Sequence, residues 1–254
     1  EVISEETRIQ TIKQVKESFR QLEKDKKINT RSVHNAIDRL LNELLANTNV
    51  MVGLADISSV DDHLFNHSVS VCVLAMMTGI TLGFNNSKLK EMGTGALLHD
   101  IGKSKISKDI LRREGSLNEE EYNEFKKHVE YGFEIIKSYD DFSLLSAHVA
   151  YQHHERWDGK GYPRGLKGDK IHEYARIVAA ANLYDEMVSD LPNRPPYEAN
   201  QAVNLLKRMA GVHFDPRVVT ALVSHIACYP VGSIVKLNTG EIGMVTEVDL
   251  DRPT

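Results

Sequence analysis

His99-Asp100-Ile101-Gly102-Lys103 and His153-His154-Glu155-Arg156-Trp157-Asp158-Gly159-Lys160-Gly161-Tyr162-Pro163 are the two stretches from which the rest of this 254-residue chain is read. His67 precedes the first stretch and His128 stands between the two. Imidazole and carboxylate donors together suit iron, manganese, zinc or nickel. Donors drawn from separate segments are what a two-metal hydrolytic centre requires. Taken alone, any one of these histidines is more often an ordinary surface or core residue than a ligand.

The residue types carry a chemical argument of their own. Neighbours on a helix point roughly 100° apart, so His99 and Asp100 can serve one metal while the two-oxygen carboxylate bridges to a second. His153 and His154 diverge in the same way. Lys103 lies one helical turn past His99, where its ammonium can meet a phosphate oxygen. Asn118 and Glu121 form a capping box that would start the helix carrying His128. Gly159, Gly161 and Pro163 predict a rigid turn that brings backbone amides and the Tyr162 phenol towards a ligand.

At these residues the chain resembles the HD-GYP domains of the HD phosphohydrolase superfamily, whose signatures are the His-Asp pair and the Gly-Tyr-Pro run. The resemblance extends through Asp61, His67-Ser68-Val69, Lys127-His128, Ala175-Arg176-Ile177 and Gly211-Val212-His213-Phe214-Asp215-Pro216, in the family's order, over roughly residues 60 to 230. In that order the reading of the histidines reverses, from bystanders to ligands. The resemblance implies a mainly α fold, an HD-type helical bundle, that hydrolyses the bacterial second messenger cyclic di-GMP to pGpG, and to GMP where both bonds are cut. It implies His67, His99, Asp100, His128, His153 and His154 as metal ligands, Asp100 and Lys103 as catalytic groups, and Lys103, Tyr162 and Arg194 as substrate contacts. The expected cofactors are two divalent first-row ions, iron or manganese. His34, His148, His172, His213 and His225 match no ligand position and are read as structural or exposed. Asp185, Arg176 and Asp215 are read as ion-pairing or capping groups.

The chain also departs from the family. Asn182 stands where the family has an aspartate that completes the site shared by the first histidine and the His-Asp pair. An asparagine offers a carbonyl oxygen without negative charge, so one metal should bind more weakly. This opens a second function class, a cyclic di-GMP receptor or protein-interaction module that has lost turnover. His63, four residues before His67, occupies a place where the family usually has an aromatic and some members have an acidic ligand. As a ligand it would add a third metal; otherwise it faces solvent. Leu191 replaces a residue that is often basic, leaving Arg194 as the guanine or phosphate contact.

The bulk properties agree. At roughly 100 to 200 residues per domain, the length allows one substantial core plus an appendage. A net charge of −5, with no dense basic run around the ligands, argues against a polymeric nucleic-acid partner. Cys72 and Cys228 lie in apolar stretches and predict buried free thiols in a reducing, cytoplasmic setting. No apolar run approaches the roughly 18 to 20 residues of a membrane helix, and no signal-peptide pattern is present. A first residue that is Glu rather than Met points to a piece of a longer or processed protein, which leaves room for an upstream sensory or regulatory domain.

Along the chain, Ile9, Ile12, Val15, Phe19 and Leu22 predict one amphipathic helix over 5–25. Thr30 or Ser32 would cap a second, through Val33, Ile37, Leu40, Leu41, Leu44 and Leu45. The pair reads as an appendage on the following domain, or as a dimerising or signal-relaying segment. Helical signal continues from about 61 to 226, and residues 233–248 predict a β-hairpin capping the helical core. The expected organisation is therefore 1–58 as a helical appendage, 59–230 as the catalytic domain and 231–254 as a hairpin extension.

Overall fold

The computed structural model describes residues 2–25, 27–47, 63–113, 116–190, 195–229 and 232–247, His63 by its backbone only. Its helices are α1 (Glu5–Asp25), α2 (Thr30–Ala46), α3 (His63–Thr81), α4 (Asn86–Leu97), α5 (Lys108–Leu111), α6 (Glu119–Lys126), α7 (His128–Lys137), α8 (Leu144–Gln152), α9 (Glu173–Val188), α10 (Ala199–Met209) and α11 (Pro216–Val223). Short 3-10 turns occupy Ile101–Lys105 and Gly168–Lys170, and β1 (Ile234–Lys236) pairs with β2 (Ile242–Met244). The mainly α reading holds.

α3 is the centre of the molecule because it is apolar on nearly every face, and a helix of that kind is stable only when surrounded. It touches α1, α2, α4, α9 and α11. This corrects the expectation about membrane-length runs. Leu64–Thr81 is an 18-residue window of mean hydropathy 1.4, long and apolar enough to cross a membrane, yet 78% of it is buried inside the protein. Its apolar partners are supplied by its own chain.

α1 and α2 join the same core. Val33, Ile37, Leu40, Leu41 and Leu44 of α2 are buried with Leu74 and Met76 of α3 and Met92 and Leu97 of α4, each worth roughly 1.5–3 kcal/mol relative to exposure. The stripe on α1 begins later than its spacing predicts. Val15, Phe19 and Leu22 are buried, whereas Ile9 is 56% exposed. Thr7 and Thr11 are buried instead, and the Thr7 hydroxyl donates to Glu43 on α2 at 2.6 Å. The cap of α2 is Asn29, whose side chain accepts from the Ser32 amide, rather than Thr30 or Ser32. Leu45 is turned out to solvent.

Two further expectations need correction. The Asn118/Glu121 capping box is present, but the helix it starts ends at Lys126, and His128 opens a separate helix. The hairpin forms in register, Ile234 opposite Met244 and Lys236 opposite Ile242, but it does not cap the core. Ile234, Ile242 and Met244 remain 78%, 74% and 64% exposed. Cys72 and Cys228 are buried free thiols.

Candidate metal centre

His99, Asp100, His153 and His154 do not lie within helices, as the 100° argument assumed, but past helix ends, and His128 is the first residue of α7. His99 and Asp100 follow the C-terminus of α4, His128 follows α6 by one residue, and His153 is the C-cap of α8. The last carbonyls of a helix have no partner within it. Here histidine side chains take that role: Nδ1–H of His99 donates to Ala96 at 2.7 Å, that of His128 to Phe125 at 2.8 Å, and that of His153 to Ala150 at 2.9 Å. A carbonyl only accepts, so each ring carries its proton on Nδ1 and presents Nε2 as a lone pair. Gly102 lets the segment after Asp100 lie against α7: a Cβ there would stand 1.9 Å from the His128 carbonyl oxygen.

These rings converge on Asp100, which is 1% exposed. Its Oδ2 lies 3.4 Å from His99 Nε2, while its Oδ1 lies 3.6 Å from His128 Nε2 and 3.8 Å from His153 Nε2. The ligand atoms of His67, His99 and Asp100 lie within 4.8 Å of one another, and so do those of His128, His153 and His154. Asp100 therefore spans two adjoining donor sets. In each short approach an acceptor faces an acceptor. His99 Nε2 and Asp100 Oδ1 are buried with no hydrogen-bond partner among the described residues, a costly state. A cation between the lone pairs relieves it, and nitrogen and carboxylate donors in this number suit divalent ions. The residues fit the metal that the resemblance implies.

Burial keeps the imidazoles neutral, as ligation requires. It lowers His99 to about 4 and brings down His128. Burial also holds His153 and His154 well below the usual imidazole value, helped by the neighbouring rings. Burial alone would raise Asp100, but Lys103 and the surrounding histidines hold its carboxyl well below the ordinary range. The Lys103 ammonium donates to Asp100 Oδ2 at 2.5 Å and stays 21% exposed, on the solvent side of the pair.

His67 differs. Its Nδ1 donates to Asp185 at 2.7 Å, and its Nε2 faces the Asn182 side-chain oxygen at 2.9 Å. Burial would lower its pKa, but Asp185 overrides it and the value is raised. Asn182 is itself buried, and its amide nitrogen donates to Glu186 at 3.0 Å.

The 153–163 run folds over this centre. Buried Glu155 accepts from the backbone amides of Arg164 at 2.8 Å and Leu166 at 2.9 Å. Gly161 passes so close to the chain that a Cβ would stand 2.4 Å from the His154 carbonyl oxygen. The Tyr162 ring, half-buried, then stacks on His154 with centroids 4.7 Å apart.

The structure thus brings together His67, His99, Asp100, Lys103, His128, His153, His154, Tyr162 and Asn182. The His63 side chain, Asp61, Leu191 and Arg194 lie outside the described residues. The remaining histidines stand apart: His172 caps α9 and His34 faces the Asp141 carbonyl. Asp215 caps α11 and pairs with Arg176. Sequence reading missed Glu155 and Glu186, and took Asp185 for a general pairing group when it orients His67. The spacing of 182, 185 and 186 along one helix was the available signal.

Comparison with known proteins agrees with this geometry. The HD domain family matches residues 54–218. A cyclic di-GMP phosphodiesterase of Pseudomonas aeruginosa is 33% identical over 229 residues, covering 90% of this chain and 55% of that protein. A 3'3'-cGAMP-specific phosphodiesterase of Vibrio cholerae is 35% identical over 144 residues, 56% of this chain and 28% of that protein. The chain thus spans about half or less of the length of these relatives. Among solved structures, an HDG"Y"P protein from Bdellovibrio bacteriovorus superposes with a TM-score of 0.69 at 22% identity, covering 85% of this chain and 69% of that one, which is a likeness of fold. With the matched span and the fold in agreement, the chain belongs to the HD domain family.

Proposed function

We propose that this chain is a metal-dependent phosphodiesterase that opens cyclic di-GMP to the linear dinucleotide pGpG, with GMP following where the second bond is also cut. The observation that carries the reading is the pair of largely buried donor sets that meet at Asp100, with His99 Nε2 and Asp100 Oδ1 left without a hydrogen-bond partner among the described residues. The relatives named for cyclic dinucleotide hydrolysis supply the substrate class.

In this reading His67, His99 and Asp100, with the Asn182 oxygen, hold one ion, and His128, His153, His154 and Asp100 hold the other. Iron or manganese suits these donors, and a third ion follows only if His63 ligates. Divalent ions so held supply Lewis acidity, drawing charge from a phosphoryl oxygen and making water nucleophilic near neutral pH. The chain does the rest. The Nδ1 bonds fix each ring so that its lone pair stays on target. Lys103 meets the phosphate from the solvent side and neutralises charge developing there, Tyr162 closes the pocket over His154, and Arg194 contacts a guanine or phosphate. Substrate of this kind places the chain in the bacterial cytoplasm.

Metal analysis beside a turnover assay tests the reading. Protein purified without chelator should hold about two ions per chain and convert cyclic di-GMP to pGpG, with 3'3'-cGAMP as the competing substrate. Less than one ion after reconstitution sinks it. One observation favours the receptor alternative: position 182 offers the oxygen of a neutral amide rather than a carboxylate. Stoichiometric binding of cyclic di-GMP by the metal-loaded protein, without linear product, would select that reading.

A further inference from the structure

Asn182 is 6% exposed and aimed into the centre, with its oxygen 2.9 Å from His67 Nε2. Its amide nitrogen is held at 3.0 Å by Glu186, one helical turn farther along α9. That bond settles which end of the amide faces the histidines, since a carboxylate accepts only from the nitrogen. It is also charge-assisted. A carboxylate drawing on the amide N–H pushes electron density onto the amide oxygen, and chains of such bonds reinforce one another.

We propose that Asn182 and Glu186 together act as a divided aspartate: the Asn182 oxygen is the ligand atom at the first metal position, and the Glu186 carboxylate behind it supplies the negative charge that an asparagine lacks. The inference rests on the metal-centre reading above. Glu186 is a positioning residue here, acting on the ion through the amide of its neighbour. An ordinary surface hydrogen bond between residues four apart would leave the site indifferent to the carboxylate. The geometry speaks against that: Asn182 is buried, and the acceptor side of the same amide faces a predicted ligand, His67, at 2.9 Å.

The test is Mn²⁺ binding to the full chain, read by calorimetry and by electron paramagnetic resonance, without substrate. Glu186→Gln keeps an acceptor for the Asn182 amide and removes only the charge. It should weaken the first position by tenfold or more, the range seen when the partner of a ligand is lost, and abolish the signal of spin-coupled neighbouring ions while leaving the His128, His153 and His154 set filled. Asn182→Asp with Glu186→Gln returns the charge to position 182 and should restore both readouts. Thermal unfolding of the two variants should match the parent. Unchanged Mn²⁺ affinity in Glu186→Gln overturns the inference, as does a double variant that fails to recover binding. A parent chain that takes up no Mn²⁺ at either position overturns the metal centre itself, and this inference with it.

Discussion

A methyl group on Gly102 would stand 1.9 Å from the carbonyl oxygen of His128 and 2.5 Å from the amide of Gly132. Both are backbone atoms, so no side-chain rotation makes room. Gly102→Ala should therefore push α7 and His128 away from Asp100, at a cost of about 3 kcal/mol, the upper end for overpacking. Chemical denaturation and metal stoichiometry would register it, and a variant of parental stability holding its full metal complement would refute the close approach. Lys103 presents the opposite case. It neutralises Asp100, a proposed ligand, so Lys103→Ala should leave metal affinity equal or tighter while turnover falls by about 100-fold, the usual loss for one group stabilising transition-state charge. Falling metal affinity would instead mark Lys103 as a brace for the carboxylate.

The elements show why part of the centre was legible and part was not. The signatures name the donor residues because ligand chemistry restricts residue type, and type is visible in a sequence. Placement at helix ends was not visible. Nothing in Leu97-Leu98-His99 announces that α4 stops there, since no glycine or proline marks the stop; the imidazole itself takes the terminal carbonyl. The hairpin pattern was legible as pairing, yet its strands alternate too briefly to say which face meets the core, and the apolar one faces out. Glu155 was overlooked because its work is done on backbone amides that leave no trace in residue type. Glu155→Ala would strip the acceptor from two amides, about 1–3 kcal/mol each, and should free the Gly-Tyr-Pro loop. Trp157, the single tryptophan, sits in that loop with its amide donating to His213 and Arg176 over its ring. Its emission should shift to the red. An unaltered spectrum would show that the loop holds without Glu155.

For the whole molecule, the buried rings set a pH dependence. Unfolded histidines titrate near about 6.5, whereas burial lowers His99 to about 4 and brings His128, His153 and His154 below their ordinary value. Below about 6.5 the unfolded chain therefore binds more protons than the folded one. The metal-free protein should lose stability as pH falls from about 6.5 towards 4, by up to about 1.4 kcal/mol per pH unit for each ring. His67 works against this: its pKa is raised, so its contribution is present at low pH and lost as pH rises through the folded value. The lowered rings outnumber it, and thermal unfolding of chelator-treated protein across that range should show the net decline; a flat profile would mean that they are not held neutral. The helix ends carry one more consequence. α4, α6 and α8 all terminate beside the ligand rings, and the C-terminus of a helix bears roughly half a negative charge from its aligned peptide dipoles. Lys103 offsets the charge of Asp100, and the N-terminus of α7 at His128 offsets one of the three ends, so the other two leave the metal-free centre a negative well. Such a well draws in cations and turns away phosphates, so loading has an order: ions enter first, and only then is the field inverted to admit a dinucleotide. Cyclic di-GMP titrated into metal-stripped protein should give no binding heat, and the heat should return when Mn²⁺ is added.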